Sequence, residues 1–337
     1  MSRPIMDMHC DTISEIYRER EKYVGMPNAA GMAQTVGIAQ NSLQVDLVRM
    51  KKSGYLLQNF ALFINLSQAP DPWKSVRALY DVYQEEMKTS ADLIAPVLKY
   101  EEIERNRKAG KMSALLTVEE GGVCCGEIEK VEELYRMGVR MMTLTWNYPN
   151  ELGMPALCRT RMQETGRKNG LTPTGFAFLE RMEELGMIPD VSHLSDEGFY
   201  DVARAAKKPF VASHSNARAI CPHPRNLTDD MIRILADKGG IMGLNYYPPF
   251  VTGQDAAAKE TDRRQALIRH AAHIVKVGGI EVLGLGGDFD GMDQDGCLKG
   301  VQEVPQLEVD FCKAGFTPRQ IDKIFAENAL RFYRDLL

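Results

Sequence analysis

No stretch of this chain approaches the roughly eighteen consecutive apolar residues that a membrane-spanning helix requires, so no membrane partner is expected. Its first residues lack a charged segment followed by an apolar one, and no secretory leader is expected. Basic clusters are missing too. The chain carries 41 Lys and Arg against 46 Asp and Glu, a formal charge of −5, which argues against a nucleic-acid partner. The seven cysteines are an odd number without the spacing of a structural zinc knuckle, and Cys124 and Cys125 are adjacent. A reduced, cytoplasmic protein is the corresponding expectation. The glycine-rich "LGLGG" at 283–287 has neither the lysine nor the Ser/Thr of a phosphate-binding loop. Linkers, low-complexity tracts and internal repeats are absent as well, so the 337 residues are expected to form a single domain over 1–337.

What is present is an alternation. Short β-rich runs at 4–11, 56–65, 113–120, 139–147, 188–195, 209–216, 240–248 and 281–291 are separated by amphipathic helical patterns. Several of those patterns end on glycine just before the next strand, as helix C-caps do. Eight strands interleaved with helices predict a closed parallel (β/α)8 barrel of the TIM type, whose usual length of about 250 residues leaves room for insertions. The longest irregular stretches, 19–42, 148–172 and 249–260, follow strand candidates and would lie at the barrel's C-terminal mouth. After the eighth strand the chain reads as a helical extension over about 305–337, with Thr317 as a cap and Pro318 in the first turn.

The unusual residues fall at the ends of these strands. His9 and Asp11 end the first, Glu119 and Glu120 the third, His193 the fifth, His214 the sixth, and Asp288 and Asp290 the eighth. A single histidine on a strand is more often a satisfied core group than a ligand. Five strands repeating the placement point instead to a divalent metal centre built from imidazoles and carboxylates. Alternation along the first strand puts Asp7, His9 and Asp11 on one face; Asp7, the deepest, reads as a hydrogen-bonded support. Cys10 points the other way and reads as packing. His270 and His273, three apart on a helical pattern, read as a helix face rather than a site.

These residues carry a family resemblance. "DMHCDT", "EEGG", "VSHLS", "SHSNAR", "PRN" and "GLGGDFDG", in that order along nearly the whole chain, resemble the membrane (renal) dipeptidase family, the M19 metallopeptidases. The resemblance implies a (β/α)8 barrel with two zinc ions bridged by a glutamate, acting on dipeptides, those with a C-terminal D-residue included. It implies His9 and Asp11 as ligands of the first ion, and His193 and His214 as ligands of the second. Glu120, directly before "GG", would be the bridge, with Glu119 facing away in a supporting role. Asp288 would be the catalytic acid/base, and Arg225 of "PRN" would hold the substrate's C-terminal carboxylate through parallel hydrogen bonds. Tyr247 falls near a substrate-contacting position, and a homodimer is implied.

One position departs from the pattern. The family's mammalian members carry a histidine at the end of the fourth strand, where this chain reads "LTWNYPN" and Trp146 takes the matching place. An indole N–H donates a hydrogen bond but cannot become cationic; either Trp146 or Asn147 supplies the missing donor, with His223 as a further candidate, or the zinc ion alone polarises the carbonyl. Two rival readings remain at this level. Another barrel amidohydrolase, acting on a cyclic amide, lactone or β-lactam, would usually show H-x-H on the first strand and a bridging lysine on the fourth. Here the first strand reads H-C-D and the fourth has no lysine. A catalytically impaired metal-binding barrel would need neither Asp288 nor Arg225.

Overall fold

Runs rich in Val, Ile, Leu and Met, apolar on both faces, suit strands buried between a barrel's interior and its covering helices. In the computed structural model, which describes residues 3–24, 36–157, 169–253, 260–292 and 296–337, nine parallel strands follow one another in the order β2-β1-β9-β8-β7-β6-β5-β4-β3, and a further β2–β4 pairing closes the ring. They are β1 (Ile5–Asp7), β2 (Tyr55–Phe63), β3 (Ile94–Pro96), β4 (Met112–Glu119), β5 (Val139–Thr143), β6 (Ile188–Asp190), β7 (Val211–Ala212), β8 (Ile241–Leu244) and β9 (Leu283–Leu285). Eight make the barrel. The extra strand, β3, was not anticipated: it pairs with Met112–Ala114 at the start of β4, below the stretch Leu116–Glu119 that pairs with β5.

Two apolar layers follow from strand alternation. Met6, Met8, Leu57, Leu115, Met141, Ile188, Val211 and Ile241 form one buried cluster inside the ring. Phe60, Leu62, Leu116, Val118, Met142 and Leu283 face the helices in the other. The C-terminal helix Asn328–Leu336 supplies Phe332 and Tyr333 to the inner cluster, closing the barrel floor. Tyr333 Oη donates to Asn59 Oδ1 at 3.0 Å, and Asn328 Nδ2 donates to the carbonyls of Ile280 and Leu283.

The strands are shorter than their sequence patterns. Beyond them the backbone turns sharply: His193, Asp288 and Asp290 all have positive φ, at 71°, 61° and 64°. Such conformations cost an L-residue about 1 kcal/mol or more, and they gather where the polar side chains must be aimed. Among the described residues no helix is long and apolar enough to cross a membrane. Of the long mouth loops expected from the sequence, 25–35, 158–168 and 254–259 lie outside the described residues.

The two helix histidines are structural. His273 Nε2 meets Asp229 Oδ1 at 2.7 Å. His270 is fully buried; its Nδ1 accepts from the Ala217 amide at 3.1 Å, and its Nε2–H donates to the Val251 carbonyl at 3.0 Å. Burial pushes its pKa down to about 4. The unfolded chain therefore takes up a proton near pH 6.5 that the folded chain refuses until about pH 4. The His270 contribution to stability is expected to fall by about 3 kcal/mol as pH drops through that window. Urea titrations at pH 7 and 4.5 should show this acid loss reduced in His270→Gln; an identical loss in both proteins would refute it.

Candidate metal centre and active site

The mouth of the barrel holds a cavity of about 500 Å³ lined by Asp11, Glu119, His193, Tyr247, Asp288 and Trp146, among others. At its base the ligand-type atoms converge. His9 Nε2 lies 3.1 Å from Glu119 Oε2, 3.5 Å from Asp11 Oδ2 and 3.8 Å from Asp288 Oδ1. On the other side, His193 Nε2 lies 2.9 Å and His214 Nε2 3.7 Å from Glu119 Oε1. Two groups result, His9–Glu119–His214 and His9–Asp11–Asp288, each with its ligand atoms within 4.8 Å of one another.

The histidine tautomers follow from their partners. Asn147 Oδ1 can only accept, so at 2.9 Å it takes the Nδ1 proton of His193. Asp190 accepts from the hydroxyls of Thr143 and Ser213 and from the amides of Ser192 and Ser213. With the Ser213 hydroxyl proton spent on Asp190, its oxygen takes the Nδ1 proton of His214 at 2.7 Å. Both rings thus turn Nε2 toward the cluster, and the two nitrogens stand 2.9 Å apart. His9 Nε2 and Asp11 Oδ1 are buried without a hydrogen-bond partner, although buried polar atoms are ordinarily satisfied. This donor set fits a divalent metal.

Charge crowding says the same. Burial, with Asp11 adding to it, pushes Glu119 up to about 8. Burial lifts Asp288 to about 6, Asp11 adding to it and His9 opposing. His214 is pushed down by burial and by the neighbouring His9. For His9, burial opposes protonation, but Glu119 and Asp11 outweigh it and raise the pKa. Carboxyls held in their protonated forms give up protons when a metal binds.

The expected bridge is corrected. Glu119, not Glu120, stands between the histidines. Glu119 ends the row Ser113, Leu115, Thr117, Glu119, which shares the inward face of β4 with Leu115. Glu120 lies past the strand end with φ at 107°, and its carboxylate turns away from the cluster. There it accepts from the amides of Gly122 at 2.7 Å and Trp146 at 3.0 Å and from Asn150 Nδ2 at 2.5 Å. Glu120 therefore braces the loop after β5; its pKa rises through burial to about 7.

The remaining residues divide by place. Asp7 accepts from the amides of Gly287 and His9, joining β1 to the segment after β9. Asp290 accepts from Thr12 Oγ1 and the Gln44 amide, while its own amide donates to Gln44 Oε1. Asp288 Oδ2 accepts from Asn245 Nδ2 at 2.9 Å, leaving Oδ1 toward the cluster. Arg225 is buried with its guanidinium over the Phe250 ring, and Nε and Nη2 have no hydrogen-bond partner. Burial lowers its pKa to about 10. Tyr247 and Trp146 line the cavity. His223 does not enter it: its Nδ1 accepts from the Arg225 amide at 3.2 Å, and its ring packs on Phe250. Sequence reasoning missed Asp190, Ser213 and Asn245, and gave Asn147 a different task. A usable signal existed for Asp190, a carboxylate inside the apolar run "MIPDV".

The profile of the membrane dipeptidase family (Peptidase family M19) matches residues 1–336. A curated relative, the dipeptidase aclJ of Aspergillus oryzae, is 29% identical over 308 residues, covering 87% of this chain and 70% of its own length. Among solved structures, the dipeptidase AC, a metallopeptidase of family M19, superposes with a TM-score of 0.87 at 23% identity, covering 100% of this chain and 99% of its own. A metallopeptidase from Rhodobacter sphaeroides, solved with a phosphinate mimic of the dipeptide L-Ala-D-Ala, does so with a TM-score of 0.85 at 21% identity, both chains being covered completely. The clustered imidazoles and carboxylates at the mouth are the kind of site a metallopeptidase needs, and the whole-chain match settles which kind: this protein belongs to the membrane dipeptidase family, peptidase family M19, as a metallo-dipeptidase that hydrolyses peptide bonds.

Proposed function

We propose that this chain is a zinc dipeptidase that holds two zinc ions and hydrolyses dipeptides, those with a C-terminal D-residue included. The observation that carries the metal reading is the convergence of imidazole nitrogens and carboxylate oxygens on Glu119, with His9 Nε2 and Asp11 Oδ1 buried without a hydrogen-bond partner. Imidazole and carboxylate donors suit zinc. His9, Asp11 and Glu119 would hold one ion, and Glu119, His193 and His214 the other. Such ions supply a water acidified toward neutral pH and draw charge from a carbonyl oxygen.

The chain's own residues do the rest. Asp288, whose Oδ2 is held by Asn245 while Oδ1 faces the cluster, would take a proton from the attacking water and return it to the leaving amine. Arg225 presents two unpaired buried N–H groups, and a substrate carboxylate would satisfy both in parallel. An anchor for a free C-terminus sets the scissile bond one residue from the substrate's carboxylate. The relative bound to an L-Ala-D-Ala mimic supports the stereochemical part of the proposal.

The test is a panel of L-L and L-D dipeptides, each with free and amidated C-termini, on zinc-loaded protein. Free dipeptides should be cleaved and amides cleaved poorly. Arg225→Met should lose about 10²-fold in kcat/KM on free dipeptides, the worth of two charge-assisted hydrogen bonds, mainly through KM. It should also lose the discrimination against amides. No turnover of any dipeptide would sink the functional proposal, and unchanged discrimination in the variant would sink the role of Arg225.

A further inference from the structure

On the dipeptidase reading above, a substrate lies across the mouth with its carboxylate at Arg225. The strand order says what its other end meets. Around the ring run β1, β2, β4, β5, β6, β7, β8 and β9, so β4 stands opposite β8. Arg225 follows β7, and Tyr247 and Phe250 follow β8. The strands flanking β4 deliver two aromatic rings to the far wall. Phe63 is the last residue of β2, and Trp146 lies just past β5.

Phe63 is paired in register with Glu119 and continues the inward row of β2 that includes Leu57. It is a large apolar residue at the level where the adjacent strands supply ligand-type groups. Its ring meets Trp146 edge to face at 4.8 Å. Both rings line the cavity and remain partly exposed there. Both are also held in place before any ligand arrives. The Arg18 guanidinium sits 5.6 Å from the Phe63 centroid and is ion-paired with Glu15. Trp146 packs against Tyr148 and His193, and its amide is held by Glu120. A rigid apolar corner opposite the carboxylate anchor has no part in holding metal.

We infer that Phe63 and Trp146 form the subsite for the side chain on the amino-terminal side of the scissile bond, selecting dipeptides whose first residue is large and apolar or aromatic. Aromatic walls reward an apolar side chain through burial and ring contacts. Arg18 already occupies the cation position over Phe63, and its charge works against a cationic side chain. Glu15, Glu19 and Asp11 on the cavity lining work against an anionic one.

The experiment measures kcat/KM of zinc-loaded protein for Ala-Ala, Leu-Ala, Phe-Ala, Lys-Ala, Asp-Ala and the reversed Ala-Phe. Wild type should prefer Phe-Ala and Leu-Ala over Ala-Ala by on the order of 10- to 100-fold. Phe63→Ala and Trp146→Ala should compress that ratio to within about threefold, and Trp146→Phe should restore much of it. The ratio is the readout, because damage to the fold or to the chemistry lowers all substrates together. Hydrolysis without an apolar preference, a preference for Lys-Ala or Asp-Ala, or a preference that survives both alanine variants would overturn the subsite while leaving the dipeptidase reading intact. Failure of wild type to cleave any of the six would overturn both. The wild-type panel decides even if a variant does not fold.

Discussion

Dipeptide hydrolysis is expected to vanish in Glu119→Gln and to survive in the neighbouring Glu120→Gln. Glu119 offers one carboxylate oxygen to each side of the cluster, 3.1 Å from His9 Nε2 and 2.9 Å from His193 Nε2. An amide in its place keeps the shape but removes the charge that two cations would share. The loss should be on the order of 10³-fold in kcat/KM, about 4 kcal/mol, accompanied by loss of bound metal. Metal content by elemental analysis separates this from a purely kinetic effect. In Glu120→Gln the amide oxygen can still accept from Gly122 and Asn150, while its NH2 group then faces the donating Trp146 amide. The loop after β5 should loosen, lowering kcat/KM by about tenfold with metal retained. If Glu120→Gln lost the metal and Glu119→Gln kept it, the assignment of the bridging position would be wrong.

Asp288→Asn is expected to separate binding from chemistry. Its carboxyl is buried, its Oδ2 is fixed by Asn245, and its Oδ1 lies 3.8 Å from His9 Nε2. Asparagine can keep the contact to Asn245 only by turning its oxygen there, and it cannot take up a proton. Loss of a general acid/base typically costs about 10²- to 10⁴-fold in kcat; KM and metal content should stay within a few-fold of wild type. The pH profile is a second readout. Asp288 must be ionised to accept a proton, so wild-type kcat should rise with pH through its pKa. Burial sets that pKa at about 6 before metal is added, and nearby cations would pull it lower. The acidic limb should be missing in Asp288→Asn. A variant with full kcat, or with the same limb, would remove Asp288 from the proton transfer.

The family-specific motifs and the strand-end placement of His9, Asp11, His193, His214 and Asp288 were legible without coordinates, because each motif contains its own residue types and spacing. The choice between Glu119 and Glu120 was not. Every residue from Met112 to Glu119 is buried, so the strand is covered on both faces and its pattern carries no parity signal. Register alone decides which neighbour points inward, and here the row through Leu115 and Thr117 delivers Glu119. Alternation also failed past β1, since the strand ends at Asp7 and His9 and Asp11 are aimed by turns and by the adjacent segment after β9. The extra β3 escaped notice because it ends on Pro96, and a proline reads against a strand within a sheet.

The sequence by itself determined the barrel class, the family and the residue types of the site, since these rest on local pattern and ordered motifs. Only the tertiary structure decided three further things. One is which carboxylate lies between the histidines. Another is which polar groups, Asn147 for His193 and Ser213 with Asp190 for His214, set the imidazole tautomers. The last is that Trp146 meets Phe63 at 4.8 Å across β4. Each joins residues dozens of positions apart or depends on strand register, and both are settled only when the parallel strands close into a ring.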